Sequence, residues 1–164
     1  MNATYKTIQL HPHRLQFFVN EVPVILLTLI IIFLAGYDEF PIPEFIPLLL
    51  AGASVLGLYL IYRYYYLVKM VYTITGEQLQ SEHGIFSTQK DFIELYRIID
   101  YREAQSFLQV LFGIKTVTIY SGDRSNPEFR LIGIKNKYEV IEFLRERVEY
   151  NKHRRNIYEF TNNQ

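Results

Sequence analysis

The residues able to do chemistry are few and scattered along this 164-residue chain. His11-Pro12-His13 is the nearest approach to a metal pair, and Glu82 and His83 would join it only if folding brought them there. Two His separated by one residue are unspecific, and Pro12 restrains them, so we read an ordinary juxtamembrane segment and no metal site. Asp91, Glu94, Asp100 and Glu103 are spread as on a solvated sheet face, not grouped as an acid–base pair. No Gly-rich phosphate loop is present. The absence of Cys removes thiolate nucleophiles, thiolate zinc sites and disulfides together. We therefore expect no catalytic residue, no cofactor and no metal. One cluster has a better claim. Lys152, Arg154 and Arg155, following Arg145 and Arg147, could contact anionic lipid headgroups, each nearby cation adding about 1 kcal/mol. Glu142, Glu146 and Glu149 interleave with them, and the competing reading is a plain solvated helix end.

The elements that must position these groups are of two kinds. Val22 to Tyr37 and Phe45 to Tyr62 carry no charge. At helical rise these runs are roughly 24 and 27 Å long, close to a hydrocarbon core of about 30 Å. Seven residues with two prolines, Asp38 to Glu44, join them, which requires antiparallel neighbours. A cleaved leader is the lesser reading of the first run, because a second span follows at once. Lys6 and Arg14 flank one side and Arg63 and Lys69 the other, whereas the connecting loop has three acids and no base. Both termini are therefore expected in the cytoplasm, where the tripeptide Asn2-Ala3-Thr4 could not be glycosylated.

Within this hairpin Tyr62, Arg63, Tyr64, Tyr65, Tyr66 and Lys69 mark the cytoplasmic membrane interface, as an aromatic belt in preference to a ligand platform. Glu21 lies near the start of the first span. It is a possible intramembrane polar site, although one turn from the interface it can also reach water. Gly52, Ala53 and Gly57 form a small-residue strip suited to helix packing, inside the hairpin or with another subunit.

From Met70 the pattern becomes short strands rich in β-branched and aromatic residues. We place them at 70–75, 78–82, 85–93, 98–105, 116–121 and 129–134. Between the fourth and fifth of these, Ser106 to Gly113 reads as a short helix, capped by Ser and ended by Gly. A closing amphipathic helix follows, with Asn136 as its cap, Glu139 in capping-box position, and Val140, Ile141, Leu144 and Val148 on its apolar face. The resulting organisation is an N-terminal segment 1–16, a two-helix transmembrane hairpin 17–69, a β-roll with its C-terminal helix 70–151, and a polar tail 152–164.

The residues Tyr72-Thr73-Ile74-Thr75, Leu79, Gly84-Ile85, Leu95-Tyr96-Arg97-Ile98, Gln105-Ser106 and Leu111 to Val117, with the closing helix and two preceding spans, resemble the bacterial pleckstrin-homology-like membrane protein family. The resemblance implies a transmembrane α-hairpin plus a mainly-β roll of seven strands closed by a C-terminal α-helix. Our six strands leave one unplaced. It implies no catalytic residues. The eukaryotic relatives use a basic pattern between their first strands to hold phosphoinositides. Here Thr75 to Gln80 contains an acid and no Lys or Arg, which argues against that ligand.

The expected function is a non-enzymatic, membrane-anchored interaction or scaffold module at the cytoplasmic face of a bacterial inner membrane. It would bind a protein partner or its own copies, with membrane lipids around its spans. The alternatives are an anionic-lipid headgroup sensor and, more weakly, an accessory subunit of a transporter or membrane enzyme acting through Glu21. Seventeen basic and seventeen acidic residues give no net charge, so nucleic acid is not an expected partner.

Overall fold

The computed structural model describes residues 5–37, 42–124 and 126–155. The tripeptide at 2–4, loop residues 38–41 and the tail from 156 onward lie outside the described residues. In chain order the elements are β1 (Ile8–Leu10), α1 (Gln16–Ala35), α2 (Ile46–Lys69), β2 (Val71–Ile74), β3 (Gln78–His83), β4 (Gln89–Glu94), β5 (Ile98–Ala104), α3 (Phe107–Phe112), β6 (Ile114–Ser121), β7 (Glu128–Lys135) and α4 (Val140–Arg154). Single 3-10 turns precede α2 and β5.

Helices α1 and α2 pack against each other, and both are long and apolar enough to cross a bilayer. The seven strands form two antiparallel sheets, ordered β1-β2-β3-β4 and β5-β6-β7. The seventh strand that the resemblance calls for is β1. It precedes the hairpin in sequence, so the spans are inserted between the first two strands of the roll. Three residues, Ile8 to Leu10, are too short a run to declare a strand by alternation alone. Pairing with β2, through Ile8↔Ile74 and Leu10↔Tyr72, makes the strand.

Registers place one apolar row across the first sheet, Ile8, Ile74, Leu79 and Ile93. This row meets Val117, Ile119, Phe129 and Leu131 of the second sheet and Val140, Leu144 and Val148 of α4. The next row is Leu10, Tyr72, Ser81 and Asp91, so the interior turns polar toward β4. The Tyr72 hydroxyl accepts the Ile132 N–H at 3.0 Å, and burial pushes its pKa up.

Two expectations are corrected. The third strand begins at Gln89, not Ile85, because Gly84 and Ser87 form a turn that carries 85–88 off the sheet. The closing helix begins at Val140, after Glu139 as N-cap with no side-chain cap bond. Asn136 is engaged elsewhere: its N–H donates to the Gly113 carbonyl at 3.0 Å and its side-chain oxygen accepts from Gln105. The short helix α3, by contrast, has the expected Ser106 cap, completed by Gln109 into a reciprocal capping box, and ends on left-handed Gly113.

Candidate functional site

Polar and aromatic side chains gather at three places: the joint between hairpin and roll, the seam between the sheets, and the end of α4.

At the joint, Arg63 Nε donates to Glu21 Oε1 at 2.6 Å, linking α2 to α1. Glu21 is only 4% exposed, so the paired guanidinium compensates a carboxylate that burial alone would penalise. A turn before it, buried Gln16 bonds Asn20 at 2.8 Å and accepts from Gln109 Nε2 at 2.9 Å, and Gln109 also donates to Thr116. The His13 N–H donates to the Gly133 carbonyl at 2.8 Å. Gly133 lies in a bulge of β7 at φ +66°, and a Cβ there would stand 2.8 Å from the Gln16 Cβ. Left-handed backbone and close approach both call for glycine. The start of α1 is thereby fastened to β7 and α3.

The predicted interface residues occupy the last turns of α2. Tyr64 meets Phe17 edge-on at 5.6 Å, and Tyr66 lies 5.9 Å from the His83 ring. Tyr62 and Tyr65 are exposed, and Lys69 closes the helix. Of the small residues, Ala53 is buried in the hairpin, whereas a Cβ at Gly52 or Gly57 would meet nothing within 4 Å.

The seam lies where β4 and β7 end their sheets. Each is a terminal strand, paired on one side only by the other strands. A cavity of about 270 Å³ opens between them, lined by Tyr66, Ser81, His83, Asp91, Glu128 and Arg130 among others. A second, of about 330 Å³, continues along β4 past Lys90 and Phe92 to Arg97 and Asp123. Asn126 and Asp91 line both, so the two form one groove. Its charge is mixed: His83 lies 3.8 Å from Asp91, Arg130 bonds Glu128, and Arg97 bonds Asp123. Such a lining does not concentrate positive charge as a phosphate site would. Sequence reading named His83 and Asp91 separately. Their meeting depends on the β3–β4 register, and that of Asp91 with Arg130 on the packing of two sheets.

At the end of α4, Arg154 bonds Glu77 at 2.6 Å, and Arg155 pairs with Glu94 at 3.5 Å and stacks 4.1 Å over Tyr96. Lys152 is partly buried one turn before. Arg147, which the sequence reading placed in the basic cluster, and Asn151, which it passed over, anchor this end from buried positions. Buried Arg147 donates to the carbonyls of Ile74, Thr75 and Lys6, and Asn151 to that of Gly76. Their signal was available: Arg147 and Asn151 share the helical face of Val140, Leu144 and Val148. Because β2 leaves α2 at Met70 and runs four residues, roughly 13 Å, before its turn at Thr75–Glu77, these cations sit at the end of the roll remote from the hairpin.

Among the described residues no group of three His, Asp or Glu is placed to hold a metal ion. His13 accepts from the Leu15 N–H, and His83 contacts Gln89 and Asp91.

A family model described as Bacterial PH domain matches residues 19–148, hairpin and roll together, starting after β1. No curated protein and no solved structure matches the chain.

Proposed function

Because the chain belongs to the bacterial PH-domain family, whose members are lipid or protein interaction modules, we propose that it is a membrane-anchored, non-catalytic docking module for protein. Its hairpin crosses a bacterial inner membrane with both termini in the cytoplasm. Its roll receives an extended protein segment, from a partner or a second copy, in the β4–β7 seam.

The observation that carries this reading is the seam itself: two terminal strands border one groove, and an extended segment can pair with such an edge through main-chain bonds. Phe92, exposed beside it, offers an apolar anchor. The headgroup-sensor reading has less support. Arg154 and Arg155 engage Glu77 and Glu94, and this end of the roll lies away from α2. The accessory-subunit reading needs a reactive Glu21, which is paired with Arg63.

The test is native mass spectrometry of the full chain released from membranes in mild detergent. A copurifying protein subunit or self-association should be retained in an Arg154→Glu/Arg155→Glu variant and lost in Phe92→Lys, since interfaces draw most of their energy from few buried anchors. Retained anionic lipid, lost on the double charge reversal and by raising salt, would overturn the proposal in favour of headgroup sensing.

A further inference from the structure

We propose that two apolar prongs flank the hairpin and insert into the cytoplasmic leaflet, seating the roll directly on the bilayer. One prong is the β3–β4 loop at Phe86. The other is the outer face of α3, with Phe107, Val110 and Leu111.

Phe86 is 94% exposed, and Phe107, Leu111 and Val110 are 82, 69 and 60% exposed. Single exposed apolar residues are ordinary on a soluble surface, but the placement of these four is not random. Phe86 and the turn around it line a cleft with Tyr62 and Tyr66 of α2. The turn is rigidly shaped: Gly84 has φ +121°, and a Cβ there would lie 1.9 Å from the Ser87 carbonyl oxygen. On the other side, α3 is held beside the first residue of α1 by the Gln109–Gln16 bond at 2.9 Å. The prongs therefore stand next to the ends of both apolar helices, level with the Glu21–Arg63 pair to within about two turns.

The polarity of α3 points the same way. A short helix on a soluble domain buries its apolar side. In α3 the one fully buried residue is the polar Gln109, with Leu108 and Phe112 half-buried, while Phe107, Val110 and Leu111 face outward. This inversion suits a surface that is itself apolar. Directly beside two apolar helices, that surface is the headgroup–acyl boundary, where aromatic rings settle. The inference rests on the hairpin spanning a membrane, and it orients the roll, with the β2–β3 turn and Arg154 directed away from the bilayer.

The chain has no Trp, so single introduced indoles report their own surroundings. Phe86→Trp and Phe107→Trp change exposed positions and should fold. Leu27→Trp, in the middle of α1, reports whether the hairpin spans. Ile99→Trp, beside Gly122 at the remote end of the roll, is the distant control. Each full-length variant is reconstituted in phosphatidylcholine vesicles without bromine and in two kinds with it, on acyl chains near the headgroup or near the chain end. Bromine near the headgroup should quench the indoles at positions 86 and 107, bromine near the chain end that at 27, and both should spare that at 99. Quenching at 27 with undiminished emission at 86 or 107 overturns the seating and leaves the hairpin reading standing. No quenching at 27 removes the hairpin reading, and this inference with it. Blue-shifted but unquenched emission at 86 and 107 assigns the prongs to a protein neighbour and overturns the lipid contact.

Discussion

Arg147 shows how one side chain can close a fold. The residue is 5% exposed, and its guanidinium donates to three carbonyls from two distant segments and lies 5.2 Å from the Tyr5 ring centroid. Burial lowers its pKa, but a guanidinium keeps its proton at any physiological pH. Arg147→Met fills similar space and leaves the carbonyls without a donor, which should cost about 1–3 kcal/mol. A urea titration of the detergent-solubilised chain checks this, and Arg147→Lys should restore only part because an ammonium lacks the fork. His13 gives a pH dependence. Burial first, then Lys135 and Arg14, holds its pKa below the ordinary 6.5, and its neutral Nδ1 accepts the Leu15 N–H. The unfolded chain takes up the proton more readily, so this part of the stability is present above pH 6.5 and is lost as pH falls through 6.5 toward the lowered folded value. Melting temperatures recorded from pH 7.5 to 5 should fall, and the fall should be shallower in His13→Asn.

At the scale of elements, the joint depends on α1 approaching β7 closely. Gly133→Ala forces a left-handed non-glycine residue, about 1–3 kcal/mol of strain, and drives its Cβ against Gln16. The variant should melt earlier than the parent, and protease should cut the 11–15 segment faster, because the His13–Gly133 bond is lost with the approach. Unchanged cleavage would mean the bulge is not what fastens α1. In the hairpin, the Glu21–Arg63 pair and the Phe17–Tyr64 contact both lie at the end of the two helices nearest the roll, so the helices are registered where they meet it.

For the molecule as a whole, the arrangement is a roll built around the base of its own anchor. β1 enters before the spans and β2 leaves after them, so the hairpin emerges from between adjacent strands of one sheet. A roll tied at both ends of the hairpin holds its seam at a set distance from the apolar helices, unlike a domain on a linker. The topology is checked by cysteine labelling, convenient in a chain without Cys. An impermeant maleimide applied to intact cells should modify Glu44→Cys in the loop and spare Lys137→Cys beyond β7. The reverse pattern would overturn the orientation and with it the cytoplasmic seam.

Uncharged runs at Val22–Tyr37 and Phe45–Tyr62, the alternation of Thr116 to Ser121 and the Ser106/Gly113 caps were legible from local residue order, because length, period and capping are local properties. The family pattern was legible for the same reason, being carried by short strands in order. What the chain order hid was set by contact. β1 becomes a strand only by pairing with β2, across 60 residues and two long apolar helices. Arg147 read as one of a basic cluster, lipid-facing or solvated, until the carbonyls of the β2–β3 turn are brought against it. Glu21 read as a lone acid in a span until hairpin packing set Arg63 beside it. The seam exists only because two sheets meet with β4 and β7 at their margins. Periodicity reports which face of an element is apolar; which buried polar groups find one another is decided by the distances that close when those faces pack.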